Sequence, residues 1–229
     1  MGRLVLGGNP PIEVSLRRSP RARRLSLRIS RLDGRVTMTL PNPVPEREAM
    51  AFLRDRENWV RDHLSGLEGE RFVAIGQVIP FGGTEYAITA HDKRRVEVAD
   101  DRLMVPNDPD RVAARVQGFL KTHARDALAT ASDKYAAMLG RGYGRITLRD
   151  TRSRWGSCTS RGDLMYSWRL IMAPPHILDY VAAHEVAHLI EMNHSAAFWD
   201  VVHSLYPDFE TARRWLRDHG GALHRIRFD

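Results

Sequence analysis

Three histidines and a glutamate stand close together in the stretch VAAHEVAHLIEMNHSAAFW, residues 181–199. His184 and His188 are four positions apart. An α-helix advances about 100° per residue, so the two imidazoles share one face on adjacent turns. Such a pair can grip one metal ion. Glu185 lies one step round, where its carboxylate can reach a water on that ion. The chemistry this arrangement suits is hydrolysis: imidazoles hold Zn2+ and a carboxylate takes the proton of the attacking water.

His194 is the candidate third ligand, because catalytic zinc takes three protein ligands and keeps one position open. On an unbroken helix it would lie about 240° round the axis from His188 and point away. The helix must therefore stop and the chain must turn back. Asn193 is the expected terminator, since Asn tolerates the left-handed conformation. Ser195 is the expected cap of a new helix carrying Phe198, Trp199, Val202 and Leu205. The helix around His184 is otherwise apolar (Ile177, Tyr180, Val181, Ala187, Leu189). Unliganded histidines and a glutamate would be costly to bury there.

RWGSC at Arg154–Cys158, YSWRLIMAPP at Tyr166–Pro175, YVAAHEVAHL and NHSAAFW together resemble the YgjP-like zinc metallopeptidases, relatives of the SprT-like and WLM proteases of the zincin clan. The resemblance implies a zinc-dependent hydrolase, a peptidase, with His184, His188 and His194 as ligands and Glu185 as base. It also places the edge strand that pairs with an extended substrate at Arg152 to Cys158. Gly156 permits close backbone approach there. Arg154, Trp155, Gly156, Ser157 and Tyr166 are the candidate substrate-binding residues. Arg154, Ser157 and Tyr166 are also candidate second donors to the oxyanion. Trp155 and Trp168 either line a subsite or pack under the hairpin. Asp179 and Glu191 are both candidates to orient a ligand imidazole through its second nitrogen. Cys158 stays outside the ligand set, since three histidines fill the protein's share.

Two other activities remain as alternatives. Nucleotide pyrophosphatase activity has been attributed to the group, but no GxxxxGK[ST] phosphate cradle is present. An SprT-like protease docked on nucleic acid is suggested by the charge distribution. Residues 1–35 hold nine arginines against Glu13 and Asp33, which accounts for the whole net charge of +7. Arginines of this kind can contact DNA or RNA. They also discourage an edge strand from aggregating, which is the favoured reading.

The elements that must position these residues follow from periodicity. Ile12-Val14-Leu16, Leu25-Leu27-Ile29 and Val36-Met38-Leu40 alternate as half-buried strands do, with Asp33-Gly34 as a hairpin signal. One helix is expected from about Pro45 to Leu64, closed by Gly66 and Gly69. Short strands follow between Phe72 and Val105. Asp108 and Pro109 are the expected cap and first residue of a long bracing helix running to Gly140, with His123 on or near its buried stripe. Strands are expected at Arg145–Asp150 and Leu164–Met172, then the histidine helix and two more helices ended by Gly220-Gly221.

The expected fold is therefore α+β. Residues 1–106 read as an antiparallel β-rich region with one helix, and residues 107–229 as a minimal zincin-type domain. No apolar run reaches the ~20 residues of a membrane span. The start is too short for a secretory signal. A single cysteine excludes an internal disulfide framework. These point to a cytoplasmic protein that does not act at a membrane; that it acts on peptides or proteins is what the family resemblance implies.

Overall fold

A computed structural model describes residues 2–30, 34–65 and 69–229. The chain divides after Gly69 into two compact units.

In the first unit, strands β1 (Gly2–Leu6), β2 (Ile12–Arg18), β3 (Ser26–Ile29) and β4 (Val36–Leu40) form one sheet in the order β1-β2-β4-β3. The alternation works as expected: Ile12, Val14 and Leu16 of β2 are buried, as are Val36, Met38 and Leu40 of β4. The sheet is mixed rather than antiparallel, because β2 and β4 run parallel. Gly34 takes a left-handed φ of 66°; Asp33, the other half of the expected hairpin signal, lies outside the described residues, as does Gly66. Ala49 and Leu53 of helix α1 (Glu46–Asp55) and Val60 of helix α2 (Glu57–Ser65) join the strands in one apolar core. The single helix expected here is thus two, broken at Arg56. No proline or glycine marks that break, and nothing in the structure accounts for it.

The second unit begins with β5 (Arg71–Phe72), then β6 (Val78–Phe81), β7 (Thr84–His91), β8 (Glu97–Ala99) and β9 (Arg102–Pro106). The last four form a sheet in the order β6-β7-β9-β8, with β7 and β9 parallel. This is the connectivity of the first sheet repeated. The sequence placed these strands with the N-terminal region. The structure places them with the histidine region instead, because Ile79, Ile88, Leu103 and Val105 share one core with the long helix α3 (Val112–Leu139).

Helix α3 buries Val112, Val116, Leu120, Ala124, Leu128 and Tyr135 along one stripe and ends at Gly140 in the left-handed conformation. Its start differs from expectation. Pro109–Arg111 form a 3-10 turn, and Asp108 caps nothing with its side chain. Its carboxylate instead accepts from Arg115 at 3.1 Å. His123 is exposed, with its ring against Phe119 and Phe81.

Strands β10 (Ile146–Arg149), β11 (Gly156–Cys158) and β12 (Leu164–Ser167) make a small sheet in the order β10-β12-β11, so β11 lies at its edge. The strand expected to reach Met172 stops at Ser167 and continues as a 3-10 turn. There the buried Arg169 donates to both carboxylate oxygens of Asp150 and to the carbonyls of Leu223 and Ile226.

Helix α4 (Pro175–Ala187) carries His184 and Glu185. It is buried nearly all round, as a central helix must be, and packs against α3, β11, α5 (Ala196–Leu205) and α6 (Phe209–Leu223). Strand β13 (Ile226–Arg227) closes the chain beside β5. Among the described residues no helix is long and apolar enough to cross a membrane.

Candidate metal centre

Helix α4 ends at Ala187, and His188 is its C-terminal cap. The amides of Leu189 and Ile190 then bond back to Val186 and Ala187, closing a tight turn. Asn193 does not take the left-handed conformation; Asp100 is the one non-glycine residue with positive φ among those described. Asn193 works through its side chain, whose Oδ1 accepts from the Ser195 amide at 3.1 Å. Ser195 caps α5, its Oγ accepting from the Phe198 amide at 3.4 Å. Together these contacts turn the chain back on itself and bring His194 beside α4.

One ring nitrogen each from His184, His188 and His194 falls within 4.8 Å of the others. The Nε2 atoms of His184 and His194 are 3.2 Å apart. Two nitrogens bound to one tetrahedral zinc at about 2.0–2.1 Å stand roughly 3.3 Å apart, so this pair has the spacing of two such ligands. Burial pushes His184 down to about 3, aided by its two histidine neighbours. Burial also lowers His188, partly offset by its backbone hydrogen bond. Neutral imidazoles keep their lone pairs for a metal.

That backbone bond also sets the tautomer of His188. Its Nδ1 lies 2.9 Å from the carbonyl of Glu191. A carbonyl can only accept, so Nδ1 carries the proton and Nε2 is left with its lone pair. Glu191 therefore orients a ring as one reading of the sequence allowed, through its main chain. Asp179 does not; the hydroxyl of Tyr135 and the ammonium of Lys134 hold its carboxylate at 2.6 and 3.0 Å. Nδ1 of His184 is buried without a partner among the described residues.

Helix α5 supplies the surroundings. The ring of Phe198 stacks on His188 at 4.4 Å, and Trp199 stands 5.7 Å from His184 and 5.8 Å from His194. The run NHSAAFW thus joins one histidine, its turn, a cap and two packing rings in a single segment.

Glu185 is buried, at 5 % exposure. Burial raises its carboxyl to about 8, against a smaller pull from the Arg154 charge. Its side chain lies on Gly156 of β11: a Cβ there would stand 2.5 Å from its Cγ and Oε1.

A cleft of about 540 Å³ opens over the histidines. Arg154, Trp155, Gly156 and Ser157 line it. Trp155 also packs against Gly220 of α6, and its ring lies 4.8 Å from that of His224, the residue that caps the helix. Tyr166 is not brought to the cleft. It is fully buried, and its hydroxyl meets Ser132 Oγ at 3.0 Å, so it is excluded as an oxyanion donor. Its side chain alternates to the inner face of β12, which a strand's period of two dictates. Trp168 is buried against Phe228 and is likewise no part of the cleft. Cys158 lines it, but burial and the Glu185 charge push its thiol up to about 11, so it remains protonated near neutrality. The sequence reading, which put Leu216 in the roof of the site, missed Arg213 and Arg217, which α6 contributes beside it. No motif surrounds them, and their position depends on how α6 packs.

Comparison with known proteins adds a family. The sequence model of the YgjP-like metallopeptidase domain matches residues 23–219. Among solved structures, the metallopeptidase zymogen abylysin of Pyrococcus abyssi is similar at 19% identity, with a TM-score of 0.35, over 42% of this chain and 95% of that one. No curated protein matches.

Proposed function

Because the chain belongs to the YgjP-like family of metallopeptidases, we propose that it hydrolyses peptide bonds with a zinc ion held by His184, His188 and His194, and with Glu185 as the proton carrier. The observation that carries this reading is the convergence of the three ring nitrogens within 4.8 Å beside a buried carboxyl. An all-imidazole donor set suits zinc among the divalent metals. When bound, the ion supplies Lewis acidity: it polarises the scissile carbonyl and acidifies water.

The chain's own residues do the rest. The Glu191 carbonyl fixes one ligand ring, and Phe198 and Trp199 pack against the three imidazoles. Glu185, held against β11, accepts the proton of the attacking water and delivers it to the departing amine nitrogen. The edge of β11 offers main-chain groups to an extended peptide, as strand addition requires. Arg154 and Ser157 remain as candidate donors to the developing oxyanion.

The test is metal analysis of purified protein together with the Glu185→Gln variant. The reading expects one divalent ion per chain. It expects the variant to keep that ion while hydrolysis of a denatured protein falls roughly a hundred- to ten-thousandfold. Protein without stoichiometric metal, or a variant of full activity, would overturn it.

A further inference from the structure

The walls of the cleft carry Arg154, Arg213 and Arg217, and its one carboxylate among the described residues is the buried Glu185. Arg217 is engaged by Asp218 at 3.1 Å. Arg154 and Arg213 are different: neither forms an ion pair with any described carboxylate, although Asp and Glu pair with arginines widely elsewhere in this unit. The two exposed guanidinium groups therefore line the cleft without an ion-pair partner among the described residues.

Arg213 is also held in place. Its guanidinium carbon sits 4.9 Å over the ring of Trp199. Trp199 is stacked on Phe209 at 5.2 Å and stands beside His184 and His194. A guanidinium laid on such a platform loses less freedom when it binds, and its planar fork matches a carboxylate. A cation on the wall of a peptide cleft, steered by stacking and lacking an internal partner, is suited to a substrate anion.

We propose that Arg213 is a specificity-determining residue whose guanidinium binds a carboxylate of the peptide substrate, so that the cleft prefers peptides with a negative charge close to the scissile bond. This rests on the metallopeptidase reading above. The carboxylate has two sources, an acidic side chain or the free C-terminus of the peptide, and the same contact serves either.

The experiment uses metal-loaded enzyme and matched peptides. One set exchanges Asp and Glu for Asn and Gln at each position flanking the cleaved bond. A second compares the free C-terminal acid with its carboxamide. The acidic member of at least one pair is expected to show a kcat/KM roughly 10- to 100-fold above its neutral partner, the range for a charged hydrogen bond. The set in which this appears identifies the source. In Arg213→Gln that ratio should collapse to about one, and in Arg213→Glu it should shift towards peptides bearing Lys. Binding to the Glu185→Gln protein, followed by anisotropy of labelled peptides, should show the same acid preference without turnover. Equal handling of acidic and neutral peptides, or a preference that survives in Arg213→Gln, overturns the inference and leaves the peptidase reading standing. Failure of the metal-loaded enzyme to cleave any peptide would overturn the peptidase reading, and this inference with it.

Discussion

Glu185 lies against the backbone of Gly156: a methyl group added at that glycine would stand 2.5 Å from the Oε1 of the carboxyl. The contact joins two distant motifs, RWGSC on the edge strand and HExxH on the buried helix. It explains the glycine by space rather than by backbone freedom, since Gly156 is not among the glycines of positive φ. Gly156→Ala should push the carboxyl aside while leaving the histidines alone. Displacing a reacting group by about 1 Å can cost a hundredfold. Activity should fall by about that factor with metal content unchanged, as kinetics beside elemental analysis would show. Undiminished kcat would mean that this contact does not position Glu185.

Ser195 holds the turn that returns His194 to α4. Ser195→Ala removes the acceptor of the Phe198 amide, at a cost of about 1 kcal/mol for a lost cap. Because Phe198 also stacks on His188, metal affinity should weaken along with stability. Competition with a chromogenic chelator would measure it; unchanged affinity would count against the turn as a support for the site.

Arg169 ties Asp150 to the chain's end. Arg169→Lys keeps the charge but loses the fork that meets both carboxylate oxygens and two carbonyls. A lysine point charge cannot satisfy that set. The variant should lose roughly 1–3 kcal/mol in urea unfolding, the cost of leaving buried acceptors such as the Leu223 and Ile226 carbonyls unsatisfied. Hydrogen exchange should quicken at Ile226 and Arg227. Wild-type protection there would contradict the role.

His224 gives the protein an acid limit. Burial, followed by the Arg169 charge, pushes its imidazole down to about 4, against about 6.5 in an unfolded chain. The unfolded state therefore binds the proton more readily. The contribution to stability is fully present above pH 6.5 and is lost as pH falls through 4. Glu185 acts oppositely in metal-free protein: its folded value of about 8 makes its contribution largest below 4.5 and lost as pH rises through 8. Comparing His224→Asn with wild type isolates the first effect. The variant should show a shallower decline of unfolding free energy between pH 7 and 4, and parallel curves would disprove it.

Much of this could be read from residue order, wherever the governing rule is local. Spacing placed His184 and His188 on one helical face, demanded a reversal before His194, and identified Ser195 as the next cap. Alternation found β2 and β4, and the mixed α+β class followed from the two periods. Strand direction, the break at Arg56 and the place of β6 to β9 were not legible, because hydrophobic period records which face is buried and not which neighbour covers it. The same gap separates Tyr166, which turned inward to Ser132, from Arg213, which no motif announced and which α6 carries to the wall of the cleft. Chemistry written within a few residues is carried by backbone geometry alone. Who lines the opening, and which charge is left without a partner, depends on segments far apart in the chain meeting through a shared core.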